Sequence, residues 1–304
     1  MSCRVCRKKL NKIISFGNFP VCHKFKKKNQ KEKKFSLEIG ICKKCSLVQL
    51  NNPFPLSQLR PKYNWINYNE PEEHLDKLVK TISNLKNINK SSIIAGVSYK
   101  EISTLERFKK IGYNKTWVLD VKKDLNINNK KLNLETIQDK ISKANTNKII
   151  KRNKKADVLI VRHILEHSYN TINFIQSLKK LVNHDGYLIF EVPDCKESFS
   201  STDYTTIWEE HILYFTENSL KKMLIGQGLK ITYFEIYKYS YENVLIIITK
   251  IKKDNSPQKK INLINPKINF NPNLLSVDKL KIRQKIEYFK KEKYKICLFG
   301  TGHA

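Results

Sequence analysis

Four of the seven cysteines stand as two Cys-x-x-Cys pairs, Cys3/Cys6 and Cys42/Cys45, with 35 residues between them. Each pair sets two thiolates on one tight knuckle. Two knuckles close a tetrahedral four-sulfur shell, the donor set that suits Zn²⁺. A closed shell leaves no open coordination position, so the expected role of the ion is structural. Neither pair opens a helix in a βαβ setting, which argues against redox chemistry. Cys22-His23 lies between the knuckles and is read as a bystander. An odd cysteine count without a leader-like segment also speaks against a disulfide framework.

A second group of residues could move protons. Arg162-His163-Ile164-Leu165-Glu166-His167 follows an apolar run, and Glu209-Glu210-His211 lies further on. Imidazole titrates near neutral pH, and a neighbouring carboxylate can orient the ring or share its proton. Removing a proton from carbon beside a carbonyl needs such a base, with a group that steadies the enolate oxygen. Glu210 and His211 are the candidates for proton abstraction, with His167 in support. The competing reading is a satisfied, purely structural polar network. A third group faces a cofactor: Gly96 and Ser98 after one strand, Asp120 after the next, 24 residues beyond Gly96, with Arg162 and His163 able to meet cofactor or substrate phosphate. The loop Gly96-Val97-Ser98-Tyr99-Lys100-Glu101 keeps a single glycine, and Tyr99 and Lys100 are expected to crowd its floor, where close backbone approach normally requires glycine.

The elements that must position these groups alternate. Leu75, Val79, Ile82 and Leu85 predict an amphipathic helix over 74–90. Strands are predicted at 92–96, 116–121, 156–161 and 186–192, and helices at 102–111, 172–182 and 217–226. Strands at 230–237 and 243–250 are close enough to form a hairpin. Strands separated by helices imply right-handed crossovers and a parallel sheet covered on both faces, whose carboxyl ends face the ligand crevice. The fold class is therefore α/β, a Rossmann-like sheet of the class I methyltransferase kind with a terminal antiparallel hairpin, preceded by a small zinc-binding module.

The chain has 304 residues and a formal net charge of +30, with 58 Lys and Arg against 28 Asp and Glu. Only seven of the basic residues are Arg, while Asn numbers thirty. Bidentate phosphate and base contacts favour Arg, so the charge reads as compositional bias spread over the surface and not as a nucleic-acid interface. A zinc-ribbon nucleic-acid binder is the weaker alternative. No apolar run is long enough to cross a membrane and no leader-like segment opens the chain, which leads us to expect a cytoplasmic protein. The expected organisation is a four-cysteine module over 1–50, a connector and helix over 51–90, the α/β domain over 91–250, a linker over 251–275, and over 276–304 the truncated start of a further nucleotide-fold domain, its strand 294–300 entering a Gly-x-Gly turn.

In order, CRVC, FGNFPV, ICKKCSLVQL, RHILEH, FEVPD, IWEEHILYF and the final CLFGTGHA resemble the nucleotide-sugar C-methyltransferase family over nearly the whole chain. The resemblance implies S-adenosylmethionine as cofactor, structural zinc, a nucleotide-linked keto-sugar as small-molecule substrate, and a base-generated enolate that attacks the sulfonium methyl. A homo-oligomer is compatible with it. The family's Tyr-His-Glu-His segment falls on Trp208, Glu209, Glu210 and His211, so its last two members persist and its first two differ. A further family histidine falls on His167. The altered glycine loop keeps a rival in view: a catalytically inactive, methyltransferase-fold protein that binds a sugar nucleotide or serves as a scaffold.

Overall fold

The computed structural model describes every residue except 11, 25, 28, 61–71, 128–132, 202, 204–205, 239–242, 253–271 and 298–304. In chain order the elements are β1 (Lys12–Pro20), β2 (Lys34–Ile41), β3 (Val48–Leu50), α1 (Leu56–Leu59), α2 (Leu75–Ser83), β4 (Ile94–Gly96), α3 (Ile102–Lys110), β5 (Thr116–Val118), α4 (Leu134–Lys140), α5 (Lys143–Asn153), β6 (Ala156–Arg162), α6 (Thr171–Lys180) and β7 (Val182–Asp194). They continue with α7 (Lys196–Ser201), β8 (Leu213–Tyr214), α8 (Glu217–Gly226), β9 (Leu229–Lys238), β10 (Asn243–Ile251) and α9 (Pro272–Lys291).

The larger sheet runs β5-β4-β6-β7-β10-β9. β5, β4, β6 and β7 are parallel neighbours, and β10 enters antiparallel between β7 and β9. This is the Rossmann-like sheet with its closing hairpin. Alternation along β6 sends Val158 and Ile160 to one face, where α2 and α3 pack with Leu78, Ile82 and Phe108, and sends Leu159 and Val161 to the other, against Phe174 and Leu178 of α6. α2 stops at Ser83 with Asn84 as its cap, earlier than its periodicity suggests, and Asn87 in the turn beyond takes a left-handed backbone (φ 68°). α3 ends as expected ahead of Gly112, whose φ of +93° suits glycine. β5 ends at Val118, so Asp120 stands in the following turn instead of on a strand. The helices α4 and α5 went unpredicted.

The smaller sheet has the order β1-β2-β3-β8. Its last strand comes from the distant IWEEHILYF segment: Val48 pairs with Tyr214 and Gln49 with Leu213. The N-terminal module therefore shares one continuous core with the α/β domain, in which Cys3, Cys42, Val48 and Phe54 join Val161, Phe190 and Phe215. Arg4 extends this junction by donating from Nη1 to the Tyr169 carbonyl at 2.7 Å, and Tyr169 donates from its hydroxyl to the Phe54 carbonyl at 2.5 Å.

Most of the expected linker, the centre of the connector and the Gly300-x-Gly302 turn lie outside the described residues. Of the strand expected over 294–300, the described residues Tyr294–Cys297 form no strand. Among the described residues no helix is long and apolar enough to cross a membrane.

Candidate functional site

The four thiols of Cys3, Cys6, Cys42 and Cys45 converge, with all sulfurs within 4.8 Å of one another. Cys3 and Cys45 stand 3.5 Å apart and Cys6 and Cys42 3.3 Å. A tetrahedral ion with Zn–S bonds of about 2.3 Å needs sulfur–sulfur edges of about 3.8 Å, so the donor set fits zinc. Left-handed backbone at Arg7 (φ 60°) and Ser46 (φ 62°), each just after a knuckle, turns the two loops back on themselves. Cys22 and His23 stay out of this shell, as expected, but have partners elsewhere. The Cys22 amide donates to Glu209 Oε1 at 2.6 Å, and His23 Nδ1 lies 3.3 Å from Glu210 Oε1. The dipeptide ties the module to the segment that carries the proposed base.

Glu210, His211 and His167 are brought together. The His167 and His211 rings meet edge to face with centroids 4.9 Å apart, and Trp208 meets His211 edge to face at the same distance. His211 is partly exposed, whereas Glu210 and His167 are buried. His167 Nδ1 lies 3.0 Å from the Glu210 carbonyl and 2.5 Å from Glu135 Oε1. Burial disfavours a charged imidazole, but Glu135 and then Glu166 and Glu210 outweigh it and push His167 up to about 9. Burial and the nearby Glu135 charge push the Glu210 carboxyl up to about 7, against the pull of His23 and His167. Glu210 is thus the member of the cluster placed to exchange a proton near neutrality.

The carboxyl ends of β4, β6 and β7 carry a second network. Arg162 binds Glu191 through Nε (2.8 Å) and Nη2 (3.1 Å) and donates from Nη1 to the Lys100 carbonyl at 2.7 Å. Glu191 Oε1 also meets His163 Nε2 at 3.0 Å and His74 Nε2 at 3.2 Å. Burial alone would raise Glu191, but Arg162 and the two imidazoles hold it well below the usual carboxylate range. For His163 burial opposes the charge, and Glu166 and Glu191 still push the ring up to about 10. His163 takes a left-handed backbone, φ 47°, which aims its ring back over the strand end. Arg162, expected to reach a phosphate, is instead 2 % exposed with its guanidinium committed to Glu191.

The glycine-loop expectation changes in detail. Tyr99 turns to solvent, 49 % exposed, whereas Lys100 is buried as expected, and Glu101 packs against Gly96. A Cβ on Gly96 would meet Glu101 Cβ at 2.4 Å, so Gly96 is needed for this contact. Glu101 accepts from the Ser98 amide (2.6 Å), the Ser98 hydroxyl (2.9 Å) and the Arg162 amide (2.7 Å). Burial pushes its carboxyl up to about 7. Asp120 is held in its own turn, its Oδ1 accepting from the Lys122 and Lys123 amides, and it remains open to solvent. Asp120 thus leaves the turn after β5 open, whereas Glu101 fills the loop end beside Gly96 and Ser98.

Sequence reasoning missed Glu135, His74 and the structural part of Glu191. Glu135 sits in the first turn of α4 and reads as an ordinary surface residue favouring the helix dipole, yet it is 1 % exposed.

Asp194, at the end of β7, accepts from the Lys196 amide at 3.1 Å, and burial pushes its carboxyl up to about 6. The folded state then holds this proton more tightly than the unfolded chain, so stability falls as pH rises from about 4 to about 6. Asp194→Asn is expected to gain on the wild type across that window, by at most about 3 kcal/mol. Denaturant titrations at pH 4.5 and 7 check this, and an equal difference at both pH values would refute it.

Two families match the chain: residues 3–59 match a zinc binding domain and residues 100–233 a methyltransferase domain. The C-methyltransferase NovU of Streptomyces niveus is 22% identical over 235 residues, covering 75% of this chain and 56% of NovU. This chain thus spans little more than half of that relative's length. Among solved structures, a Burkholderia thailandensis 1,6-didemethyltoxoflavin-N1-methyltransferase with bound S-adenosylhomocysteine is 9% identical at a TM-score of 0.41, covering 60% of this chain and 80% of its own. The N-methyltransferase NodS of Bradyrhizobium japonicum, also with S-adenosylhomocysteine, is 11% identical at 0.37, covering 60% and 88%. The strand order gives a Rossmann-like fold, and the match over residues 100–233 gives a methyltransferase domain. A zinc binding domain is followed along the chain by a methyltransferase domain, and 75% of the chain is similar to a C-methyltransferase.

Proposed function

We propose that the chain methylates carbon next to the keto group of a nucleotide-linked sugar or a related polysaccharide precursor. The observation that carries this reading is the convergence of Glu210, His211 and His167 beside the carboxyl end of β6, with one ring partly open to solvent. Bound S-adenosylmethionine would supply an electrophilic methyl group. The chain's own part is to hold the sugar with its α-carbon over His211 and to take the proton on the Glu210–His211 pair. Glu135 and His167 fix the orientation of that pair from beneath. Asp120 and Ser98 would hold the cofactor, with His163 at the strand end between the two.

Incubation with S-adenosylmethionine and a panel of nucleotide-4-keto-hexoses should yield a product heavier by one methylene. His211→Asn should lower turnover by about 10²–10⁴-fold, the usual contribution of a positioned acid–base group. Absence of product across the panel, with cofactor bound, would remove the keto-sugar assignment. The packing of Glu101 against Gly96 favours a second reading, a sugar-nucleotide binder that does not methylate. Calorimetry separates the two, since that reading gives heat with the sugar nucleotide and none with the cofactor.

A further inference from the structure

The described residues contain a second group of metal-type donors besides the four thiols. Ligand atoms of Glu166, His167 and His211 lie within 4.8 Å of one another. Glu166 is 1 % exposed, and neither of its carboxylate oxygens has a hydrogen-bond partner among the described residues. Its nearest cation, His163 Nδ1, stands 3.7 Å away, and that ring already bonds Glu191 through Nε2. A buried carboxylate whose oxygens accept no hydrogen bond is costly, so a further donor or a cation is called for at this point. Glu135 and Glu210 add acidic charge on the same side.

We infer that Glu166, His167 and His211 form a site for a first-row divalent transition ion. Two imidazoles and one carboxylate on one face leave coordination positions open, the pattern of ions that bind an oxygen ligand during reaction. Calcium and magnesium prefer all-oxygen shells and fit less well. Glu135 strengthens the assignment. Nδ1 of His167 faces the Glu210 carbonyl and the Glu135 carboxylate, so Nε2 is the nitrogen left to ligate, and a carboxylate behind a ligating imidazole is the usual support of such sites. His211, the ring partly open to solvent, places the ion at the edge of the crevice. This site is distinct from the zinc shell, which is closed by sulfur.

In its chemical role the inference rests on the proposed function. The ion would receive the keto oxygen of the sugar. As the α C–H bond breaks, its electron pair forms the C=C bond and the carbonyl pair moves to the oxygen held by the ion. His211 then holds the ion, and of the proposed Glu210–His211 pair it is the Glu210 carboxylate that takes the proton. The enolate carbon then forms the new bond to the methyl group, whose bond to sulfur breaks with its electron pair left on the sulfur.

The zinc-loaded full chain, dialysed against Co²⁺ and counted by elemental mass spectrometry, should carry one cobalt beyond its zinc. Its visible spectrum should show the weak bands of nitrogen and oxygen ligation without thiolate charge transfer. Glu135→Gln should weaken cobalt binding about 10–100-fold. Glu166→Gln and His211→Asn should abolish it at the same cobalt concentration, with circular dichroism reporting the fold. Zinc alone on the wild type, cobalt bound only through thiolate, or unchanged affinity in Glu166→Gln each overturns the site. Methyl transfer measured in parallel keeps the two readings apart. Turnover by a protein holding zinc alone removes the second ion and leaves the proposed function standing, whereas a second ion without turnover does the reverse.

Discussion

Replacing Cys42 with Ser, or stripping the zinc with a chelator, is expected to unfold the first 59 residues and to abolish methyl transfer, although no thiol lies in the proton-transfer cluster. Structural zinc sites of this kind contribute about 10–16 kcal/mol of apparent binding free energy at neutral pH, more than a module of this size can replace. The loss would travel along identifiable contacts. β3 holds β8 through the Val48–Tyr214 and Gln49–Leu213 pairs, and the Leu50 amide donates to the Ile212 carbonyl at 2.9 Å. Cys22 and His23 hold Glu209 and Glu210. Without the module, Glu210 and His211 lose the strand and both side-chain clamps that fix their direction. Amide hydrogen exchange reads this directly: protection should vanish over 12–50 and fall over 207–215, while β6 and β7 stay protected. Native protection of 207–215 in the Cys42→Ser chain would show that the α/β domain positions the cluster unaided.

The second large effect is at Arg162. Its guanidinium is the principal charge opposing Glu191, inside a site where both side chains are at most 2 % exposed. Removing one member of such a pair strands the other in low dielectric and typically costs about 3–5 kcal/mol. Arg162→Met should therefore lower stability by that amount, or leave the chain aggregated at ordinary temperature. Glu191 would keep its contacts with His163 and His74 but lose the permanently charged, bidentate guanidinium. Exchanging both partners for apolar residues of similar volume should recover much of the loss. Thermal denaturation of Arg162→Met and of the double replacement decides the point: a single variant as stable as wild type would mean that the pair is solvated and that the crevice is open.

Much of this architecture was legible along the chain. Local pattern is enough to place β6, β7, α8 and the β9–β10 hairpin, because apolar periodicity and turn chemistry act over a few residues. The two thiol knuckles are equally local, each defined by a three-residue spacing, and only their meeting is long-range. The clusters are another matter. Glu135 reads as a helix-capping surface acid until α4 brings it under His167, and His74 gives no sign of its partner 117 positions away in Glu191. Cys22-His23 looked idle for the same reason, since its partners Glu209 and Glu210 arrive from the far end of the α/β domain.

By itself the sequence determined the parallel sheet with its hairpin, the donor set for zinc and the residue types able to carry a proton. Tertiary structure alone decided that the N-terminal module shares a sheet with the EEH segment, that Arg162 spends its charge on Glu191, and that Glu101 packs the glycine loop. The division has a physical cause. Backbone periodicity and metal-ligand spacing are properties of neighbouring residues, whereas the state of a buried charge is set by whichever opposite charge the fold brings within a few ångströms, and chain separation carries no record of that.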